Sequence, residues 1–161
     1  MFRRNLPSDR QARRHLQAGA AALRRQRWPE AVQRFQEAVR LAPDCYLACV
    51  NLGLAYYHLQ KYTPAIGEFA RATELEPSRP QAWLNLAAAE TALGHLDRAR
   101  EILERLAADH PTHPDLHYNL AGLRLRRGEF LEALAELELE LANNPHHRLA
   151  GQLVKQLQTR K

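Results

Sequence analysis

Two groups of residues have the types and spacing from which reactive sites are built. Cys45 and Cys49 lie four apart, a separation that could serve a redox pair or part of a metal site. Asp109, His110, His113 and His117 fall within one short stretch, His146 and His147 occupy the corresponding stretch further on, and His113 and His117 have the i, i+4 spacing of zinc ligands. Placement argues against chemistry in both cases. Cys45 falls in a turn and Cys49 at a packing position, so both read as small buried residues. His113 precedes Pro114, at or ahead of a helix start, and His117 takes a packing slot. There is no glycine-rich phosphate loop, no nucleophile elbow and no carboxylate pair with a pocket, and the series Glu132, Glu136, Glu138 and Glu140 reads as the solvated side of a helix. No catalytic residue, metal or cofactor is expected, and no small-molecule substrate.

The elements that would position any site follow from the bulk of the chain. With 161 residues, 45% of them apolar, it can bury a core. No run reaches the 18 or so apolar residues that span a bilayer, and the start, Met1-Phe2-Arg3-Arg4-Asn5-Leu6-Pro7, lacks the apolar stretch and cleavage site of a secretory signal. A cytoplasmic location is expected, which suits two cysteines better than a disulfide framework would. Residues 1–45 hold ten arginines against four acids, so the net charge of +5 is concentrated at this end. The aromatics nearby, Trp28 and Phe35, sit at positions a core would claim, which disfavours a nucleic-acid partner.

One period organises the sequence. Segments starting at Ala12, Tyr46, Pro80 and Pro114 align without a gap, each 34 residues after the last, and a partial copy begins at Arg148. The second copy shows the pattern best, with Leu52-Gly53, Tyr56, Ala65, Phe69, Ala72 and Pro77. The first has Gly19, Ala31, Phe35 and Pro43; the third Ala87, Ala99, Leu103 and Pro111; the fourth Ala121, Ala133, Leu137 and Pro145. The small residues at 19, 53, 87 and 121 let one helix of a repeat approach the other. The residue 16 further on fills the gap between one repeat and the next, and proline ends each repeat because it cannot donate within a helix. Ser8-Asp9-Arg10-Gln11 and Ser78-Arg79-Pro80-Gln81 read as capping boxes, and Thr63-Pro64 as a cap followed by proline at the first helical position. Trp28-Pro29 begins a helix in the same manner, and Gly94 and Gly128 stand where the first helices of their repeats stop. No stretch alternates with period two, so no strand is expected.

This spacing resembles the tetratricopeptide repeat family over roughly residues 12–161. The resemblance implies an all-α fold, a right-handed α-solenoid of antiparallel helix pairs with nine helices. A basic N-terminal arm (1–11) would precede four repeats (12–45, 46–79, 80–113 and 114–147), and a capping helix (148–161) would close the array with Gln152, Lys155, Gln156 and Gln158 outward. In that family the first helix of each pair lines a concave groove. Carried over by position, the groove would take Arg13, Gln17 and Arg24 from the first repeat, and Val50, Asn51, Leu54 and Tyr57 from the second. The third would give Leu84, Asn85 and Ala88, and the fourth Tyr118, Asn119 and Arg126.

Asn51, Asn85 and Asn119 recur at one register although asparagine is a mediocre helix former. A side-chain amide offers both donor and acceptor to the backbone of an extended peptide, and a similar asparagine ladder lines the repeats of the O-linked N-acetylglucosamine transferases. The basic clamp by which related modules grip chaperone tails is missing, since Leu16, Ala20, Gln81 and Asn85 stand at its positions and only Asn51 matches. The expected function is a non-catalytic adaptor that holds a peptide or helix of a partner protein in its groove. The alternative is a self-assembling structural subunit, a homo-oligomer that uses its helical edges or sets its Arg-rich end on an acidic partner or surface.

Overall fold

The computed structural model describes Pro7 and residues 9–159; most of the basic arm expected over 1–11, including Ser8, lies outside the described residues. Among them the chain forms nine helices: α1 (Arg10–Arg24), α2 (Trp28–Leu41), α3 (Tyr46–His58), α4 (Tyr62–Leu75), α5 (Pro80–Leu93), α6 (Leu96–Asp109), α7 (Leu116–Arg126), α8 (Phe130–Asn143) and α9 (Arg148–Gln158). No strand occurs among the described residues. The chain makes two compact units, residues 1–89 and 90–161, with the division inside α5.

Local chemistry sets the helix ends. Asp9 caps α1, its carboxylate accepting from the backbone N–H of Gln11 at 2.6 Å and Ala12 at 2.9 Å, so the cap is one residue later than the capping-box reading placed it. Thr63 likewise does not cap α4: that helix starts at Tyr62, and Pro64 sits in its first turn, where no intrahelical donor is needed. The turns between the paired helices share one backbone feature. Gln26, Gln60, Gly94 and Gly128, spaced by the 34-residue period, all adopt positive φ (58°, 58°, 94° and 78°). A left-handed residue there reverses the chain in three or so residues, and the two glycines adopt it without a Cβ clash.

In the N-terminal unit, α1 packs on α2, α2 on α3 and α3 on α4, and α1 also touches α3. The closest approach comes where glycine faces phenylalanine. A Cβ added to Gly19 would lie 2.6 Å from the Phe35 ring, and one at Gly53 would lie 2.5 Å from the Phe69 ring. Both rings are fully buried, each contributing roughly 1.5–3 kcal/mol of apolar burial that exists only because the opposing helix lacks a side chain. Cys45 and Cys49 are buried thiols in this unit. Burial pushes the Cys49 thiol up to about 11, and it also raises the carboxyl of neighbouring Glu68 above the ordinary range.

In the C-terminal unit, α6 packs on α7, α7 on α8 and α8 on α9. Ala121, Ala133, Leu137 and Ala150 form the core here, joined by Leu153, Val154 and Leu157 from α9. Leu149, at the start of α9, is half exposed.

Candidate functional site

The expected groove residues of the N-terminal unit lie on α1, α3 and the first turns of α5. Arg13, Gln17 and Arg24 are exposed on α1, adjoining α3. On α3, Asn51, Leu54 and Tyr57 are half-buried, as are Asn85 and Ala88 on α5. Val50 and Leu84 lie deeper. They are 7% and 2% exposed, and Val50 packs with Tyr46, Cys49, Ala72 and Ala82, so these two support the face from beneath. Tyr57 is held at one end of it by aromatic contacts: its ring meets Tyr62 edge-on at 5.4 Å and His58 at 6.2 Å, and His58 stacks on Trp28 at 4.2 Å. Nothing in the repeat pattern announces this cluster, because His58 and Trp28 belong to different repeats.

The three asparagines do different things. Asn51 makes no side-chain hydrogen bond among the described residues. Asn85 accepts from Gln81 Nε2 at 3.2 Å, and its own Nδ2 is buried without a partner. Asn119, in the C-terminal unit, donates from Nδ2 to the Asp115 carbonyl at 2.8 Å, closing a bond within its own helix turn. Also in that unit, Tyr118 stacks on His147 at 4.8 Å, and Arg126 donates to the Ala92 carbonyl at 3.4 Å.

A second cluster in the C-terminal unit was not legible in the sequence. Asp115 has φ +70°, so α7 begins at Leu116, two residues after the start of its repeat, and it lacks a cap of its own. Glu140 of α8 supplies one from across the core. Its carboxylate accepts from the N–H of Asp115 at 3.1 Å and of Tyr118 at 3.3 Å, with the side chain 1% exposed. His147 joins the pair: its Nδ1 accepts from the Ala150 N–H at 3.1 Å, capping α9, and its Nε2–H donates to Asp115 Oδ1 at 2.9 Å. Glu136 is also turned inward, accepting from His117 Nδ1 at 2.9 Å and from Arg124 at 3.4 Å. The reading of the glutamate series as one solvated side is therefore corrected. Glu132 and Glu138 are exposed, while Glu136 and Glu140, four apart, share the side that faces α7.

Asp115, Glu140 and His147 bring three oxygen and nitrogen ligand atoms within 4.8 Å of one another. Hydrogen bonding already uses them: the imidazole has one lone pair, given to Ala150, and one proton, given to Asp115. The trio's evident work is to fix the starts of α7 and α9. Of the histidines that suggested zinc from the sequence, His113 turns to the Pro114 carbonyl and His117 to Glu136, so they serve separate partners.

The fold and these faces define a class, the helical-repeat interaction modules. Family models described as tetratricopeptide repeat match residues 16–80 and 80–123, and the chain belongs to that family. A search of curated protein sequences found no significant match. Among solved structures, the thermophilic repeat protein TTC0263 from Thermus thermophilus superposes with a TM-score of 0.80 at 20% identity, covering 95% of this chain and 83% of that one. MamA from Desulfovibrio magneticus RS-1 (residues 41 to the end) gives 0.75 at 18% identity, covering 96% and 87%. YrrB, a repeat protein described as having an unusual peptide-binding site, gives 0.73 at 24%, covering 89% and 74%. At these identities the likeness shows the fold. Tetratricopeptide repeats are generally non-catalytic interaction modules, which makes this chain a protein-interaction adaptor. No helix among the described residues is long and apolar enough to cross a membrane.

Proposed function

We propose that the N-terminal unit holds a segment of a partner protein along the exposed sides of α1 and α3. The observation that carries this reading is the state of Asn51: a half-buried amide with no hydrogen bond among the described residues, set between half-buried Leu47 and Leu54. Such an amide can meet both the N–H and the C=O of an extended backbone, at a net gain of about 0.5–1.5 kcal/mol per bond. The two leucines and Tyr57 offer apolar area on either side, and Arg13 and Arg24 on α1 favour acidic residues flanking the bound segment. The peptide-binding site described for YrrB, which shares this fold, supports the same reading. Because the basic clamp for a chaperone tail is missing, the bound segment is internal or helical and not a free C-terminal carboxylate. Asn119 contributes less, since its donor already serves its own helix.

The test is quantitative affinity capture from a native lysate with wild type, Asn51→Ala, and the double variant Arg13→Glu, Arg24→Glu. A partner bound by this face is retained several-fold less by Asn51→Ala and lost with the arginine reversal. Partners held equally by all three proteins would show that this face does not bind them.

A further inference from the structure

The outward side of α8 differs from its counterparts in every other repeat. Leu131 is 81% and Leu139 50% exposed, and exposed Ala135 and Ala142 complete the stripe with them. The 34-residue period places Asp97, Thr63 and Pro29 at the position of Leu131, and Arg105, Arg71 and Glu37 at that of Leu139. No other repeat places a large apolar side chain at either position, and all three carry a charge at the second, as a solvated helix requires. A leucine this exposed adds little to folding. Exposed Glu132 and Glu138 border the stripe; α8 carries no basic residue, and neither glutamate has an ion pair or hydrogen bond among the described residues.

We infer that this side of α8 is a docking surface, separate from the proposed groove, for a basic amphipathic helix of another protein. That helix would present leucine-like side chains every three to four residues, with lysine or arginine along both flanks. The charges choose among occupants. Pairing α8 with the α8 of a second copy would gather four glutamates and no base. Anionic lipid headgroups would be repelled by the same carboxylates. The arginines of α1 have no exposed large apolar side chain beside them, since those among the described residues (Leu93, Phe130, Leu131, Leu139 and Leu149) all belong to the C-terminal unit. A helix that is both apolar and basic satisfies the stripe and its borders together.

The experiment measures fluorescence anisotropy of the full chain with two labelled probe peptides. Both carry leucine at every heptad a and d position; one has lysine and its twin glutamate at e and g. The lysine probe should bind saturably and about tenfold more tightly than its twin. Leu131→Gln with Leu139→Gln should weaken it about tenfold while circular dichroism and melting stay unchanged, because both side chains are exposed. Glu132→Lys with Glu138→Lys should reverse the preference in favour of the glutamate probe, and Asn51→Ala should bind like wild type. Three results would overturn the inference. They are no binding of the lysine probe, binding indifferent to Leu131 and Leu139 or to the charge reversal, and a wild-type dimer in sedimentation that Leu139→Gln dissolves.

Discussion

The two compact units solve the same packing problem with glycine in opposite places. In the N-terminal unit glycine stands at the helix crossing, as Gly19 and Gly53 against Phe35 and Phe69, while Gln26 and Gln60 hold the left-handed turns. In the C-terminal unit Gly94 and Gly128 hold the turns, and the crossing of α7 and α8 is made by Ala121 and Leu137. Volume at the crossing is roughly conserved, since a large ring opposite no side chain replaces a smaller side chain opposite a methyl. The turn geometry is common to both units, so the glutamines carry a backbone cost that the glycines avoid. A repeat position therefore specifies a space or a dihedral, and different residue pairs can satisfy it.

The units also differ in how they handle charge. The ion pairs of the N-terminal unit, Arg27–Glu30, Arg40–Glu37 and Arg79–Glu76, are local, all three residues apart, and exposed except for the half-buried Arg79–Glu76. Exposed pairs of this kind contribute little. The C-terminal unit turns carboxylates inward. Glu90 meets His95 at 2.6 Å and Arg98 at 3.5 Å, Glu136 bridges His117 and Arg124, and Glu140 caps α7. Here a polar framework fixes helix starts, and leucines appear on the outside of α8.

Substitutions that exchange these solutions test the contrast, and the largest effect belongs to the crossing. Gly53→Ala places a methyl within 2.5 Å of the Phe69 ring and should cost about 1–3 kcal/mol in urea unfolding. Adding Phe69→Leu, which recreates the pairing of Ala121 with Leu137, should recover part of that loss. If the double variant is no more stable than Gly53→Ala, the two crossings are not equivalent solutions. Next comes Glu140→Gln. It replaces one of the two accepting oxygens with an NH2, leaving the backbone donor of either Asp115 or Tyr118 unpaired, and should cost about 1–2 kcal/mol, with amide exchange at the start of α7 accelerating before that of Leu137. Unchanged stability would mean the buried carboxylate is not needed to start α7. The smallest effect is at the turns: Gln60→Gly should raise stability by about 0.5–1 kcal/mol and Gly94→Gln should lower it by a similar amount. Thermal melts that move in the same direction for both would break the symmetry drawn between the turns.

Much of the fold was legible because it is periodic. Small residues, aromatics and prolines at fixed offsets mark helices that must pack on their neighbours, and Gly94 and Gly128 mark turns because glycine takes the left-handed conformation without strain. The helix starts were less legible. Ser8 and Thr63 look like caps by residue type, but capping depends on which residue leaves the helical conformation first, and those were Asp9 and Lys61. The candidate face was legible only as a set of positions. Residue type could not separate Asn51, with no bond of its own, from Asn119, whose amide turns back to Asp115.

The sequence by itself determined the repeat length, the all-α class and the small residues that let paired helices approach, because those follow from a pattern that recurs at one period of the chain; which ring lies against each of them was decided by the packing. Only the tertiary structure decided which polar side chains are buried and which apolar ones are not. Glu140 reaches Asp115 across 25 residues, and Leu131 stays in solvent on a helix whose other face is packed. Periodicity fixes where a residue sits on its helix; what stands opposite it is fixed by the packing of helices against one another.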